Sequence, residues 1–332
     1  MRKSNLEMLR IISMLLIVMS HCDGIFGLSQ LYSESIGIYK VVTEAFSLGG
    51  QIGVGCFILI SGYFMVDKKI SVNKILKLAG EVWFYTIGIW FLWMICNVIQ
   101  KQIDLSVCFK EACYAFFPVI LGHYWFVTAY IILIMLSPFL NKLIYSLDYQ
   151  NYQKFLLTLL LIFVVLGGGI PGLLSGIFSG RLLPVCIIYF IAGYIKRFGI
   201  SEERNSAECF LIAFCGYVLL FISDYLMTFW GVKLNSQTIL NNRYFYTKLN
   251  SPVVIFVCIQ LFTGFLQLNL KDSKVINTVA GGTFGVYLLH SNRILSGYLT
   301  KMFPLYREDN PLLIFIYSLG GGGDYFQYMC PD

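Results

Sequence analysis

The sequence predicts an all-α protein, a polytopic transmembrane helical bundle of about ten spans, and three observations carry that prediction. Of the 332 residues, 58% are hydrophobic and only 13% charged, against roughly a quarter charged in a soluble globular domain. The apolar residues fall into runs close to the ~20 needed to cross a bilayer core as a helix. Between those runs the polar stretches are short, so no separate soluble domain is expected.

The runs place spans near 8–28, 49–66, 78–99, 119–140, 155–174, 181–195, 209–230, 252–270 and 276–299, with a tenth opening at about Leu312. The first has a basic start and an apolar run but no small-residue cleavage site after it, so it reads as a retained span. Gly167, Gly168, Gly169 and Pro171 interrupt the fifth run, and such a triplet reads as a helix break or a close-packing site. Leu312 to Leu319 is too short to span. The last helix therefore reads as truncated, residues 1–319 as one membrane domain, and 320–332, opening on four glycines, as a disordered tail.

Short loops rich in Lys and Arg favour the cytoplasm. With the N-terminus inside, the inner side carries Arg2, Lys3, Lys68, Lys69, Lys74, Lys77, Lys142, Lys154, Lys196, Arg197, Arg204, Lys271 and Lys274. The outer side carries fewer basic residues in longer loops, so the density favours a cytoplasmic N-terminus. The net charge of +6 is scattered without an arm or block, which argues against nucleic acid as a partner. Cys22, Cys56, Cys96, Cys186, Cys215 and Cys258 lie in apolar runs and read as packing residues. Cys108 and Cys113 are near enough in sequence to pair but are expected to stay reduced. No residue spacing suits a structural metal.

Charged and titratable groups in lipid are costly and normally face a bundle interior or cavity. The first span holds Glu7, Arg10 and His21. Eleven residues are close to three helical turns, so Arg10 and His21 share a face about 16 Å apart along the axis. Glu7 and Arg10, three apart, can pair on one helix face; an interfacial ion pair reaching to the headgroups is the plainer account of the same two residues. All three histidines, His21, His123 and His290, border or enter apolar runs. A single buried histidine is most simply a packing residue, but three of three at the membrane point to function. Glu81 lies near a span end, where it reaches water, and Asp224 lies in mid-span.

Five segments, NLEMLRIISMLLIVMSH, GQIGVGCFILISGYFM, HYWFVTAYIILIMLSPFLN, RLLPVCIIYFIAGYIKR and GGTFGVYLLH, occur in that order. Together they resemble acyltransferase family 3, integral-membrane enzymes that move acyl groups, usually acetyl, onto cell-surface carbohydrates. The likeness runs from about Asn5 to Leu319. The family's hallmark is an arginine and a histidine separated by ten residues in the first span, and Arg10 and His21 match it. Glu7 stands where the family commonly has aspartate. Ser61, Gly62 and Tyr63 match its SGY motif, His123, Trp125 and Phe126 its HxWF motif, and Tyr287 to His290 its terminal YLLH.

The resemblance implies His21, Arg10 and Glu7 as catalytic residues. Acyl transfer to a hydroxyl needs a base for the incoming proton. His21, the histidine that helix geometry sets above a fixed cation, is assigned that role, with an acyl-imidazole relay as a variant. Arg10 suits a phosphate of coenzyme A through its bidentate fork, and Glu7 orients Arg10. His123, Trp125, Arg181, Tyr287 and His290 are expected to line the cavity. The resemblance makes acetyl-CoA the acyl donor and a surface glycan or lipid-linked sugar the acceptor, in contact with membrane lipid at the cell membrane. The rival expectation is a proton-coupled secondary transporter using His21, Asp224 and Glu81, although the two halves share no inverted pattern of broken spans.

Overall fold

The computed structural model describes residues 3–26, 37–69, 71–101, 103–121, 124–170, 180–199 and 204–302. These residues form helices and no strand. In chain order they are α1 (Ser4–Phe26), α2 (Ile38–Ser47), α3 (Gly49–Met65), α4 (Val72–Ile99), α5 (Leu105–Phe116), α6 (Trp125–Ser146) and α7 (Tyr149–Leu159), which continues as a π-helix (Leu160–Gly169). Then follow α8 (Leu182–Phe198), α9 (Ser206–Lys233), α10 (Gln237–Asn241), α11 (Pro252–Gln267), α12 (Lys274–His290) and α13 (Arg293–Met302).

Seven helical stretches among the described residues are long and apolar enough to cross a membrane: Ser4–Cys22, Lys40–Met65, Val72–Ile99, Trp125–Ser146, Tyr149–Gly169, Ser206–Lys233 and Gln237–Gln267. α8 and α12 have 17 residues each, just short of a full crossing. The first nine expected spans thus each meet a helix. The tenth, from Leu312, and the tail 320–332 lie outside the described residues.

Among the described helices the core is built around α3, flanked by α1, α8 and α11. Lipid tails are as apolar as leucine, so association of such helices relies on close packing, and small residues permit it. A Cβ on Gly53 would stand 2.4 Å from the Ser13 carbonyl oxygen of α1, and one on Gly62 would stand 2.8 Å from Ala192 of α8. α4 and α9 form the periphery: Phe84, Phe91, Leu92, Leu211 and Phe214 are all exposed, as expected of faces that meet acyl chains.

Broken backbone bonds in these helices find substitutes. Pro138 cannot donate to Ile134; the Ser137 hydroxyl donates to that carbonyl instead, at 3.0 Å. The glycine triplet ends the π-helix where it packs on the chain before α11, and a Cβ on Gly168 would fall 2.1 Å from the Asn250 carbonyl oxygen. Both readings of the triplet, break and close packing, apply to it.

Two sequence expectations need correction. The single span 276–299 is two helices, broken after His290. The Asn292 side chain accepts from the N–H groups of Ile294 (3.0 Å) and Leu295 (3.3 Å), which starts α13 anew; an asparagine at a cap competes well with helix continuation. The stretch near 49–66 is also preceded by α2, whose Lys40 and Glu44 are fully buried as an ion pair. Cys108 and Cys113 both carry free thiols on α5.

Candidate active site

α1 carries two polar groups to two different cavities. Near its start, Glu7 is buried and its Oε2 accepts from the Arg10 Nη1 at 2.7 Å. Both line a cavity of about 530 Å³ together with Ser61, Lys68, Lys74 and Glu81. The excess of cations there suits a phosphorylated ligand.

Near the other end of α1, His21 opens onto a second cavity, of about 650 Å³, with Trp125, Tyr287, His290 and Ser291. α1 comes close enough because α3 presents glycine beside it: a Cβ on Gly50 would stand 2.5 Å from the Ser20 hydroxyl. His290 arrives on the last turn of α12. Tyr124, almost fully buried, donates to the Leu288 carbonyl at 3.0 Å and receives the Asn292 amide at 3.1 Å, so one side chain braces both sides of the α12–α13 break.

At this site the two imidazoles meet, with His21 Nδ1 2.8 Å from His290 Nε2 and ring centroids 4.9 Å apart. The partners fix the tautomers of the neutral pair. The Val286 carbonyl lies 2.7 Å from His290 Nδ1 and can only accept, so that nitrogen holds the proton. His290 Nε2 is then an acceptor, and His21 Nδ1 donates to it. The lone pair of His21 is left on Nε2, the arrangement required of a base. The Ser291 hydroxyl lies 3.3 Å from both His21 Nδ1 and His290 Nε2.

Arg10 pairs with Glu7, as their helical spacing led one to expect, while the partner of His21 is another histidine 269 residues away, a contact the sequence did not foretell. Tyr287, buried, lines both cavities and stands between them.

A third cavity, of about 400 Å³, is lined by Trp125, Arg181, Tyr244 and Lys248 among others. Trp125 is common to this cavity and the histidine cavity. The Arg181 guanidinium sits 4.7 Å from the centre of the Trp125 ring, a cation–π contact. Of the expected site residues, His21, His290, Tyr287 and Trp125 converge directly, Arg181 joins through Trp125, and Glu7 with Arg10 stands beyond Tyr287. His123 lies outside the described residues. Ser291, Tyr124 and Lys248 were missed; only the Ser-Asn pair after YLLH, a helix-start signal, was there to find the first.

Asp224 is fully buried beside Glu44, with Lys40 and Arg243 nearby, and lines none of the three cavities. Glu81 is exposed on the first cavity. The residues of the transporter expectation therefore do not gather along one path.

The acyltransferase-domain family model matches residues 3–321. The protein belongs to acyltransferase family 3. It is thus a multi-pass membrane acyltransferase, and Arg10, His21 and the YLLH histidine lie within the matched domain. No curated protein and no solved structure matches the chain.

Proposed function

We propose that this acyltransferase moves an acetyl group from acetyl-CoA to a hydroxyl of a cell-surface glycan or its lipid-linked precursor, in the cell membrane with its N-terminus in the cytoplasm. The observation that carries this reading is the hydrogen-bond chain from Val286 through His290 to His21, which leaves a basic lone pair on Nε2 of a histidine that lines an open cavity. The His21 Nε2 lone pair takes the proton of the acceptor hydroxyl as its oxygen attacks the acyl carbonyl carbon. The new C–O bond forms, the C–S bond breaks, and the thiolate leaves with the proton that His21 had taken up.

The spacing of the two ends of α1 supports acetyl-CoA as donor. Arg10, Lys68 and Lys74 offer a cationic cavity for its phosphates. An extended phosphopantetheine arm is comparable to the rise of about 16 Å from Arg10 to His21, so the thioester can pass Tyr287 and reach the imidazole. The density of Lys and Arg in the loops on the Arg10 side supports its being cytoplasmic.

The test uses inside-out and right-side-out vesicles given labelled acetyl-CoA from outside. Wild-type protein is expected to label glycan in inside-out vesicles alone, and His21→Ala to lower that labelling by roughly a hundredfold or more at unchanged protein level. Labelling in right-side-out vesicles alone would reverse the orientation. No consumption of acyl-CoA together with His21-dependent, proton-coupled solute uptake would replace the enzyme reading by a transporter.

A further inference from the structure

The cavity on the far side of Trp125 differs in charge from its neighbours. Arg181 and Lys248 line it, and among the described residues no Asp or Glu does. Two arginines at the neighbouring cavities are neutralised: Arg10 by Glu7, and Arg293, which lines the histidine cavity, by Glu111 at 3.1 Å. Arg181 and Lys248 form no ion pair among the described residues. Each is held over a ring instead, Arg181 over Trp125 and Lys248 over Phe245 at 5.0 Å. A cation–π contact positions a cation without consuming its N–H donors.

The rest of the wall is suited to hydroxyl groups. Gln51 and Asn250 bring amides that both donate and accept. The Tyr244 hydroxyl donates to Glu44 Oε1 at 3.2 Å, which directs its oxygen lone pairs to other donors. Arg181 is also the residue from which α8 starts, so it stands at the positive end of that helix's dipole. The volume of about 400 Å³ falls within the ~300–1,000 Å³ common for small-ligand sites.

We infer that this cavity is the acceptor subsite and takes an anionic saccharide, its carboxylate or phosphate held between Arg181 and Lys248 while a neighbouring hydroxyl passes Trp125 toward His21. The inference rests on the acyltransferase reading for the role of the sugar, but the binding it requires is independent of acyl transfer. Cations at helix ends also meet lipid headgroups. These two, however, share a concave wall with two amides and border the histidine cavity through one indole.

The experiment measures saccharide binding to the purified protein in phosphatidylcholine nanodiscs, with no acetyl-CoA present. Cellobiouronic acid is compared with uncharged cellobiose, and glucose 1-phosphate with glucose. Each anionic probe is expected to bind at least about tenfold more tightly than its neutral twin, the gain from charge-assisted hydrogen bonds, and to lose that preference in the R181Q/K248Q double variant. Equal affinity for charged and neutral probes, or a preference that survives in the double variant, overturns the inference. Loss of the preference when phosphatidylglycerol replaces phosphatidylcholine assigns the two cations to lipid headgroups and overturns it as well. Failure of the vesicle assay with the preference intact would discard the acyl-transfer chemistry and keep the anionic saccharide site.

Discussion

The two ends of α1 differ in how their chemistry is assembled. At the Arg10 end, the decisive contact joins residues three apart on one helix, Glu7 and Arg10, at 2.7 Å. At the His21 end, the decisive contact joins α1 to the last turn of α12, with its two imidazoles 2.8 Å apart. The first contact forms whenever α1 is helical. The second requires α1, α3, α6 and α12 to be packed, since it depends on the glycine at 50, the brace from Tyr124 and the helix break at Asn292. A charge pair of local origin can be kept through many rearrangements of the bundle, whereas the imidazole pair exists only in the completed fold.

Substitutions at the far partner give the largest test of that contrast. His290→Ala removes the acceptor that holds the His21 Nδ1 proton, so His21 can turn or adopt the other tautomer. Acyl transfer is expected to fall by roughly ten- to hundredfold, the usual cost of losing a group that orients a functional imidazole, with His290→Gln recovering part of it through its amide oxygen. The vesicle assay across a pH series checks this, and an unchanged rate and pH profile in His290→Ala would show that the local half of the site suffices.

At the Arg10 end the expected effect is smaller and of another kind. Arg10→Lys keeps the positive charge but loses the guanidinium fork. The KM for acetyl-CoA is expected to rise several-fold with a nearly constant kcat. A fall in kcat at constant KM would mean that Arg10 acts on the reaction at His21 and that the two cavities are one site.

The smallest effect falls on the brace. Asn292→Ala removes the cap of α13 and the bond to Tyr124, and is expected to cost about 1 kcal/mol of stability. Thermal unfolding in detergent reads that loss. A transfer rate that falls much further than the unfolding shift would locate the role of Asn292 in placing His290, through Tyr124 and the end of α12.

Much of this molecule could be read from its residues. Apolar runs put a helix at each of the first nine expected spans, and seven helical stretches among the described residues are long and apolar enough to cross, because a helix in lipid must be both long and apolar. Helical spacing of 3.6 residues per turn also put Glu7 against Arg10. The break after His290 was passed over because residues 276–299 are apolar enough to look continuous, and a cap that competes with the helix is visible only when its side chain is seen accepting from Ile294 and Leu295. Asp224 looked functional because a carboxylate in mid-span is costly; its neighbours Glu44 and Lys40 come from α2 and Arg243 from the turn after α10.

By itself the sequence determined the membrane character, the order of helices, the family and the Glu7–Arg10 pair, since each depends on composition or on separations of a few residues. Only the tertiary structure decided that His21 meets His290, that Tyr287 parts the two cavities of α1, and that Trp125 joins the histidines to an uncompensated pair of cations. The physical reason is that helical periodicity sets which face of a helix a residue occupies but not which face of another helix it meets. That choice is made by close packing, here at Gly50, Gly53 and Gly62, where an added Cβ would have no room.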